Sequence, residues 1–404
     1  MIINIFHIVF NKGEHISTLD STVCGKLIHL NICRIWYYIA LKFTVFSSEK
    51  YYFPYNFGLK IPVVCDILSM TNLFGRHSMS IKSELLKALA DGKYVSGAAL
   101  AEGLGVSRNA VWKAVKALET EGFVIESSTA KGYRISPENN RLSAELIESG
   151  LKTEQIGRRL YVYDEVDSTN SIAKKFASED APHGTTVIAD MQSAGRGRLG
   201  RSFISPSGKG IYVSILVRPT FSLEFASMIT TAAAVAGAEA VETLSGHEVG
   251  VKWVNDLYMN GKKICGILTE ASMGLEMQSL DYAIIGIGIN IRSVGTSFDA
   301  ELKKRASSIE DESGVKVDRN ALCSKLLNRI EKYFATIEER GFLEEYRRRE
   351  LLTGNMITAN VGSESIKGVA EGIDDNANLI VRLENGELRH IGSGEANLCR
   401  IANN

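Results

Sequence analysis

Glycine and arginine alternate through residues 195–201 of QSAGRGRLGRSFISPSGKGIYVS (192–214), and the stretch then turns apolar and β-branched. The combination calls for a loop that feeds a strand. Glycine lets such a loop bring its N–H groups close to a ligand, and arginine adds a planar fork of donors that stays charged at any working pH. Together they describe an anion cradle at the edge of a sheet. By itself the pattern also suits a solvated turn or a phosphate grip on nucleic acid, so the remainder of the chain has to decide.

The chain has 404 residues, 45% of them hydrophobic, enough for roughly two to four domains with ordinary cores. A net charge of -1 means that nucleic acid can be bound only through a local basic patch. The six cysteines are scattered without CxxC or other metal-ligand spacing, which suits reduced thiols in a cytoplasmic protein and predicts no structural metal. Residues 1–78 differ from the rest, being rich in aromatics and poor in acidic residues. Their most apolar run, LIHLNICRIWYYIALKFTVF, is interrupted by Arg34 and Lys42, so neither a membrane span nor a signal sequence is expected. Helical regularity begins after Met79, where translation is expected to start, leaving 1–78 as a non-native or accessory extension.

Residues 79–137 read as three helices and a hairpin. Ile81, Leu85 and Leu89 give one helix a single apolar face, Ser96 caps a second, and GLGV turns the chain into a third that Ser107 caps. In the third helix Val111, Ala114, Val115 and Leu118 share one face. Ser107, Arg108, Asn109, Trp112, Lys113 and Lys116 are left on or near the other, as side chains able to reach base edges and phosphates. FVIESSTAKGYRI then forms a wing, with Lys131 and Arg134 available to phosphates. A winged helix-turn-helix that binds DNA is expected, although small modules of this kind also serve in protein contact.

From about 141 to 350 strands and helices mix. RRLYVYDEVDSTNSIAKKFA is a strand ending at Asp167, followed by a helix opened by Ser168, Thr169 and Asn170. TTVIADMQ is a strand that delivers Gln192 to the glycine loop. In VKWVNDLYMNGKKICGILTE, Asn260-Gly261 predicts a type I′ hairpin. Strict alternation beyond that turn puts Lys262 and Lys263 on opposite faces, so at most one points inward, together with Cys265 and Ile267. A lysine facing inward is costly unless it meets an anion. YAIIGIGINI adds an apolar strand whose glycines permit close approach by a ligand. Residues 354–402 alternate in short strands with Gly, Asp and Asn turns, predicting a small β-barrel.

DSTN, AGRGRLGRSFISPSGKGIYVS, KWVNDLYMNGKKICGILTE and GIGIN, in this order, resemble biotin protein ligases, and the preceding winged helix resembles the bifunctional form that also represses the biotin operon. The resemblance spans about residues 79–400. It implies an α+β multidomain protein: a winged helix-turn-helix (79–137), a class II synthetase-like catalytic domain with a mixed sheet (141–350), and an SH3-like β-barrel (354–402). It implies an ATP-dependent ligase using biotin, ATP and Mg2+ to form biotinyl-5′-AMP, with biotin carboxyl carrier protein and operator DNA as partners and a homodimer on DNA. By resemblance Ser168, Thr169, Asn170 and Gln192 line the biotin end, and Arg196, Gly197, Arg198 and Lys263 hold the carboxylate and acyl phosphate. Arg201, Asn255, Asp256 and Asn290 then lie toward ATP. Val254 stands where the family usually has proline, and Phe203 where tryptophan is common. Two other classes share some of these features: a DNA-binding biotin sensor without catalysis, and a lipoate ligase of the same fold.

Overall fold

The computed structural model describes residues 80–273 and 280–399, so the expected extension 1–78 and the expected start at Met79 lie outside the described residues. Three helices open it: α1 (Ile81–Leu89), α2 (Gly97–Gly103) and α3 (Arg108–Thr120). Each starts at a serine outside helical geometry whose hydroxyl accepts an early backbone N–H: Ser80 from Ser83, Ser96 from Ala99 and Ser107 from Ala110. Leu85, Leu89, Leu100, Val111, Val115 and Leu118 form their shared core. The wing is the hairpin β1 (Ile125–Ser128) and β2 (Gly132–Ile135). Gly132 is irreplaceable there: φ is +97° and a Cβ would stand 2.0 Å from the Val95 carbonyl oxygen.

The linker leads to α4 (Ala144–Ser149), whose Leu146 packs into the winged-helix core. A mixed seven-stranded sheet follows: β3 (Leu160–Val166), β4 (Thr186–Gln192), β5 (Gly210–Val217), β6 (Gly250–Lys252), β7 (Asp256–Met259), β8 (Lys262–Met273) and β9 (Leu280–Asn290). Its order is β3-β4-β5-β9-β8-β7-β6. Only β3 and β4 pair in parallel, joined by the crossover helix α5 (Thr169–Ser178); the other pairs are antiparallel.

The sheet's two faces differ sharply. One carries Ile285, Ile287, Ile289, Cys265 and Ile267 and is covered by α6 (Met228–Ser245), with α9 (Arg319–Ala335) against it. The many alanines of α6 let it lie close. The opposite face is bare at Gly266, Gly286 and Gly288, and the site lies there. The short helices α7 (Ala300–Lys303) and α8 (Ile309–Ser313) follow β9, and α10 (Leu343–Arg349) leads out of the domain. A five-stranded antiparallel sheet closes the chain: β10 (Met356–Val361), β11 (Glu364–Ile373), β12 (Leu379–Leu383), β13 (Leu388–Ile391) and β14 (Glu395–Leu398). Its order is β13-β12-β11-β10-β14.

Two expectations from strand pattern are corrected. The Asn260-Gly261 turn forms, with φ of 50° and 78° as type I′ requires, but a β-bulge at Ile264 follows it: Tyr258 pairs with Lys263 and Leu257 with Cys265. The extra residue breaks the alternation, so Lys263 does not point with Cys265 and Ile267. It lies on the glycine face, where a Cβ at Gly266 would stand 3.1 Å from its Nζ. In the wing, Arg134 is not free for phosphate; Glu126 binds it at 2.7 Å and its guanidinium lies 4.6 Å from the Tyr94 ring centre.

Candidate functional site

The first strand-to-helix turn builds one end of the site. Ser168 precedes α5 without capping it, and its backbone N–H donates instead to Asp167 Oδ1 at 2.6 Å. Its hydroxyl is therefore not consumed by the helix. The Thr169 N–H donates to Gln192 Oε1 at 2.9 Å, which leaves Gln192 Nε2 to donate to Ser205 Oγ at 2.9 Å. Asn170 lies over Gly286, where a Cβ would stand 2.3 Å from its Oδ1. Ser168, Thr169 and Asn170 are all buried, as polar groups at a ligand-facing helix start rather than in solvent.

The glycine loop is an arm returning on itself. The Gly197 N–H donates to the Arg201 carbonyl at 2.7 Å, and the Phe203 N–H to the Gly195 carbonyl at 2.9 Å, around a 3-10 turn at Arg198–Gly200. Phe203 reaches over the bare sheet; a Cβ at Gly288 would meet its ring at 2.5 Å. Arg196 turns back to Ser171 Oγ at 3.1 Å. Arg198 donates to Asn255 Oδ1 at 3.0 Å, and Asn255 is fixed by donating to the Ile267 carbonyl at 2.8 Å. Arg201 points elsewhere, into a two-pronged pair with Glu395 of β14 at 2.9 and 2.7 Å. That pair holds the Glu395 carboxyl below its usual range, the Arg201 hydrogen bonds outweighing burial.

Lys263 Nζ is 2.7 Å from Asp256 Oδ1, an oxygen that otherwise accepts no hydrogen bond. Its backbone is clamped from both sides, donating to the Arg305 carbonyl and accepting from the Ser307 N–H, each at 2.9 Å. Asn290 braces the same segment by donating to the Ser307 carbonyl at 3.0 Å. The Trp253–Val254 peptide beside Asn255 is cis.

One cavity of about 780 Å³ runs between these groups. Ser168, Thr169, Asn170 and Gln192 line it together with Arg196, Gly197, Arg198 and Arg201, and Asn255, Asp256, Lys263 and Asn290 complete the expected set. Neutral donors and acceptors thus line the same cavity as four cations. Such a set can hold a polar ring while drawing two anions together. Among the described residues no three His, Cys, Asp or Glu side chains cluster as a metal site. Asp256 is the one carboxylate of the expected site set, and a magnesium ion carried by substrate phosphates would need no more than such a single protein ligand.

Four contributors were missed in the sequence. Glu270 of β8 accepts from Asn170 and Lys174, and Ser214 of β5 donates to Asn170 Oδ1 and meets Thr169 Oγ1. Lys252 bonds Asn397 of β14 at 2.7 Å; burial pushes its pKa down. Residues between Phe298 and Ala306 add to the wall. Ser214, a polar residue in an otherwise apolar strand, was the one readable signal.

The expected DNA-contacting residues lie apart, on α3. Arg108, Asn109, Trp112, Lys113 and Lys116 are exposed there, Trp112 by 49%. Lys116 pairs with Glu119 at 2.7 Å, and the Ser107 oxygen is engaged as the helix cap. No helix among the described residues is long and apolar enough to cross a membrane.

The Biotin/lipoate A/B protein ligase family matches residues 162–290, an HTH domain residues 82–134, and the Biotin protein ligase C terminal domain residues 353–398. The bifunctional ligase/repressor BirA of Bacillus spizizenii is 38% identical over 303 residues, covering 74% of this chain and 92% of the relative. Its Escherichia coli counterpart is 29% identical over 322 residues, covering 79% and 97%. Among solved structures, biotin protein ligase from Aquifex aeolicus in complex with biotin and ATP superposes with a TM-score of 0.51 at 29% identity, covering 60% of this chain and 99% of that one.

Proposed function

Given that the chain belongs to the biotin protein ligase family, in its ligase/repressor form, we propose that the glycine-faced cavity joins biotin to ATP as biotinyl-5′-AMP and hands the biotinyl group to a carrier-protein lysine. The protein is an ATP-dependent biotin protein ligase and a transcriptional repressor. The supporting observation is the convergence of Arg196, Arg198 and Lys263 on the cavity that Ser168, Thr169, Asn170 and Gln192 also line.

Both reactants are anions, and their repulsion is the first obstacle. Arg198, positioned through Asn255, and Lys263, clamped in its backbone, supply fixed positive charge that needs no reorganisation during reaction. The biotin carboxylate oxygen attacks the α-phosphorus and pyrophosphate leaves. The carrier amine then attacks the acyl carbon and AMP leaves, so no covalent enzyme intermediate is needed. Gly197 offers backbone at the carboxylate, and Arg201, on leaving Glu395, serves the phosphate side. Asn290 supports the wall against which ATP lies. Mg2+, held by Asp256 and the phosphates, would supply charge neutralisation of the triphosphate.

Residues 79–137 form the DNA-reading domain, 141–350 the catalytic domain and 354–402 the domain that reaches the site through Glu395. Reading a palindrome requires two copies of α3, hence a homodimer on the operator. The buried, unpaired thiols of Cys265 and Cys323 suit a cytoplasmic protein. Biotin-dependent exchange of ATP with pyrophosphate, followed by transfer to a biotin carboxyl carrier domain, tests the enzyme. Exchange that depends on lipoate instead of biotin would overturn it.

A further inference from the structure

We propose that Glu270 is a positioning residue: it fixes which way the Asn170 amide faces and thereby sets the pattern of donors and acceptors offered to the substrate's ring. The proposal rests on the reading that this cavity takes biotin. Past the bulge, β8 alternates regularly, with Thr269 bonding Thr230 of α6 on the packed face. Gly266, Leu268 and Glu270 therefore share the site face. There Glu270 accepts from Asn170 Nδ2 at 2.7 Å and from Lys174 Nζ at 2.6 Å, and Arg196 Nη2 stands 3.7 Å away. Burial alone would raise its pKa, but the hydrogen bonds from Lys174 and Asn170 outweigh burial and hold the carboxyl below its usual range.

An ionised carboxylate can only accept. Asn170 must therefore turn its NH2 toward Glu270, which leaves Oδ1 to face Ser214 Oγ at 2.5 Å. Ser214 has one proton and gives it to that oxygen, so at its 2.7 Å contact with Thr169 Oγ1 it can only accept. The order imposed by one carboxylate passes through two residues to the helix start that faces the ligand. A cyclic urea presents one accepting oxygen and two N–H donors, and it is recognised only where protein donors and acceptors are not interchangeable. Gln at 270 could serve as donor or acceptor, and the Asn170 amide would be free to flip.

The test uses the full chain and Glu270→Gln in biotin-dependent ATP–pyrophosphate exchange, with 2-iminobiotin, in which the urea oxygen becomes an imine, as the competing substrate. We expect the KM for biotin to rise about ten- to a hundredfold, the scale of a lost hydrogen bond to a charged group. The KM for ATP should stay within about twofold on the same scale. The preference for biotin over 2-iminobiotin should shrink. The double variant Asn170→Asp/Glu270→Gln, which keeps the order of donors while exchanging the partners, should regain preference. An unchanged preference in Glu270→Gln overturns the proposal whatever happens to either KM, since a merely structural role would alter turnover or stability without altering that choice. If Gln at 270 prevents folding, Glu270→Asp, which withdraws the charge by one methylene, must show the same loss of preference; a folded Asp variant with the parent's preference overturns the proposal equally. Absence of biotin-dependent exchange in the unaltered chain would instead defeat the functional reading itself.

Discussion

Lys262 and Lys263 are covalent neighbours, each paired with a carboxylate, but only Lys263 lines the cavity. The first is 43% exposed and stands 3.6 Å from Glu312; the second sits against Asp256 on the wall of the cavity, with its backbone clamped on both sides. Charge at a developing anion matters only if it is held there beforehand. Lys263→Ala should therefore slow biotin adenylation roughly a hundred- to a thousandfold, about 2.7–4 kcal/mol. Lys262→Ala should match the parent. Single-turnover formation of biotinyl-AMP measures both, and equal losses would show that the cavity does not distinguish them. The choice of Lys263 came from the resemblance; alternation said only that one of the two lysines could point inward with Cys265, and a single inserted residue at Ile264 turns Lys263 to the other face. Bulges leave no reliable mark on hydrophobic pattern, because the residue added is as apolar as its neighbours.

At the scale of elements, the helices of the reading head were legible because each has a serine cap and an apolar face. The hairpin was legible because Asn-Gly adopts positive φ at little cost. The hydrogen-bonded chain from Glu270 to Thr169 was not, since it joins β8, α5 and β5, and only the fold brings these together. The bare face of β8 and β9 gives the sharpest element-scale expectation. Gly286→Ala would put a Cβ 2.3 Å from Asn170 Oδ1, displacing a buried, bonded amide. Biotin affinity, read by calorimetry, should fall at least about tenfold, the loss of one well-placed hydrogen bond, while the circular dichroism spectrum is kept. On α3 the expected division of labour follows exposure. Lys113→Ala should weaken all DNA sequences alike and reduce the salt slope by about one, whereas Arg108→Ala or Asn109→Ala should relax sequence choice. Lys116→Ala should do less than Lys113→Ala, because Glu119 already holds its charge. Salt titrations of operator and scrambled duplexes separate these outcomes.

At the scale of the whole molecule, the reading head and the ligand loop meet through a short polar joint. Asn140, in the linker, donates to the Gly208 carbonyl at 3.1 Å at the downstream foot of the glycine loop. The almost wholly buried Arg319 of α9 donates to the Asn140 carbonyl at 2.8 Å and to the Gly210 carbonyl, and pairs with Asp190. Asp190 in turn accepts from Gly208 and Ser207. A ligand that settled the loop would act through these bonds on the residues to which the head is tethered. Operator affinity should rise about five- to 150-fold when biotin and MgATP are both present, and by the same factor DNA should strengthen retention of the adenylate. Three equal operator affinities, with no ligand, with biotin and with biotin plus MgATP at fixed salt and protein concentration, would mean that the joint transmits nothing.

The hollow over the sheet has a consequence for the range of substrates. It exists because Gly266, Gly286 and Gly288 let the side chains that shape it lie directly on the sheet: a Cβ would meet Lys263 Nζ at 3.1 Å, Asn170 Oδ1 at 2.3 Å and the Phe203 ring at 2.5 Å, respectively. A methyl group at any of the three would push one of these side chains into the hollow, but nothing remains at the glycines to trim. Accepting a bulkier ring would require recutting the opposite wall, at Phe203 on the arm, or shifting the strands themselves. Substrate choice here is strict in one direction by construction: drift at these three positions can close the site and cannot widen it.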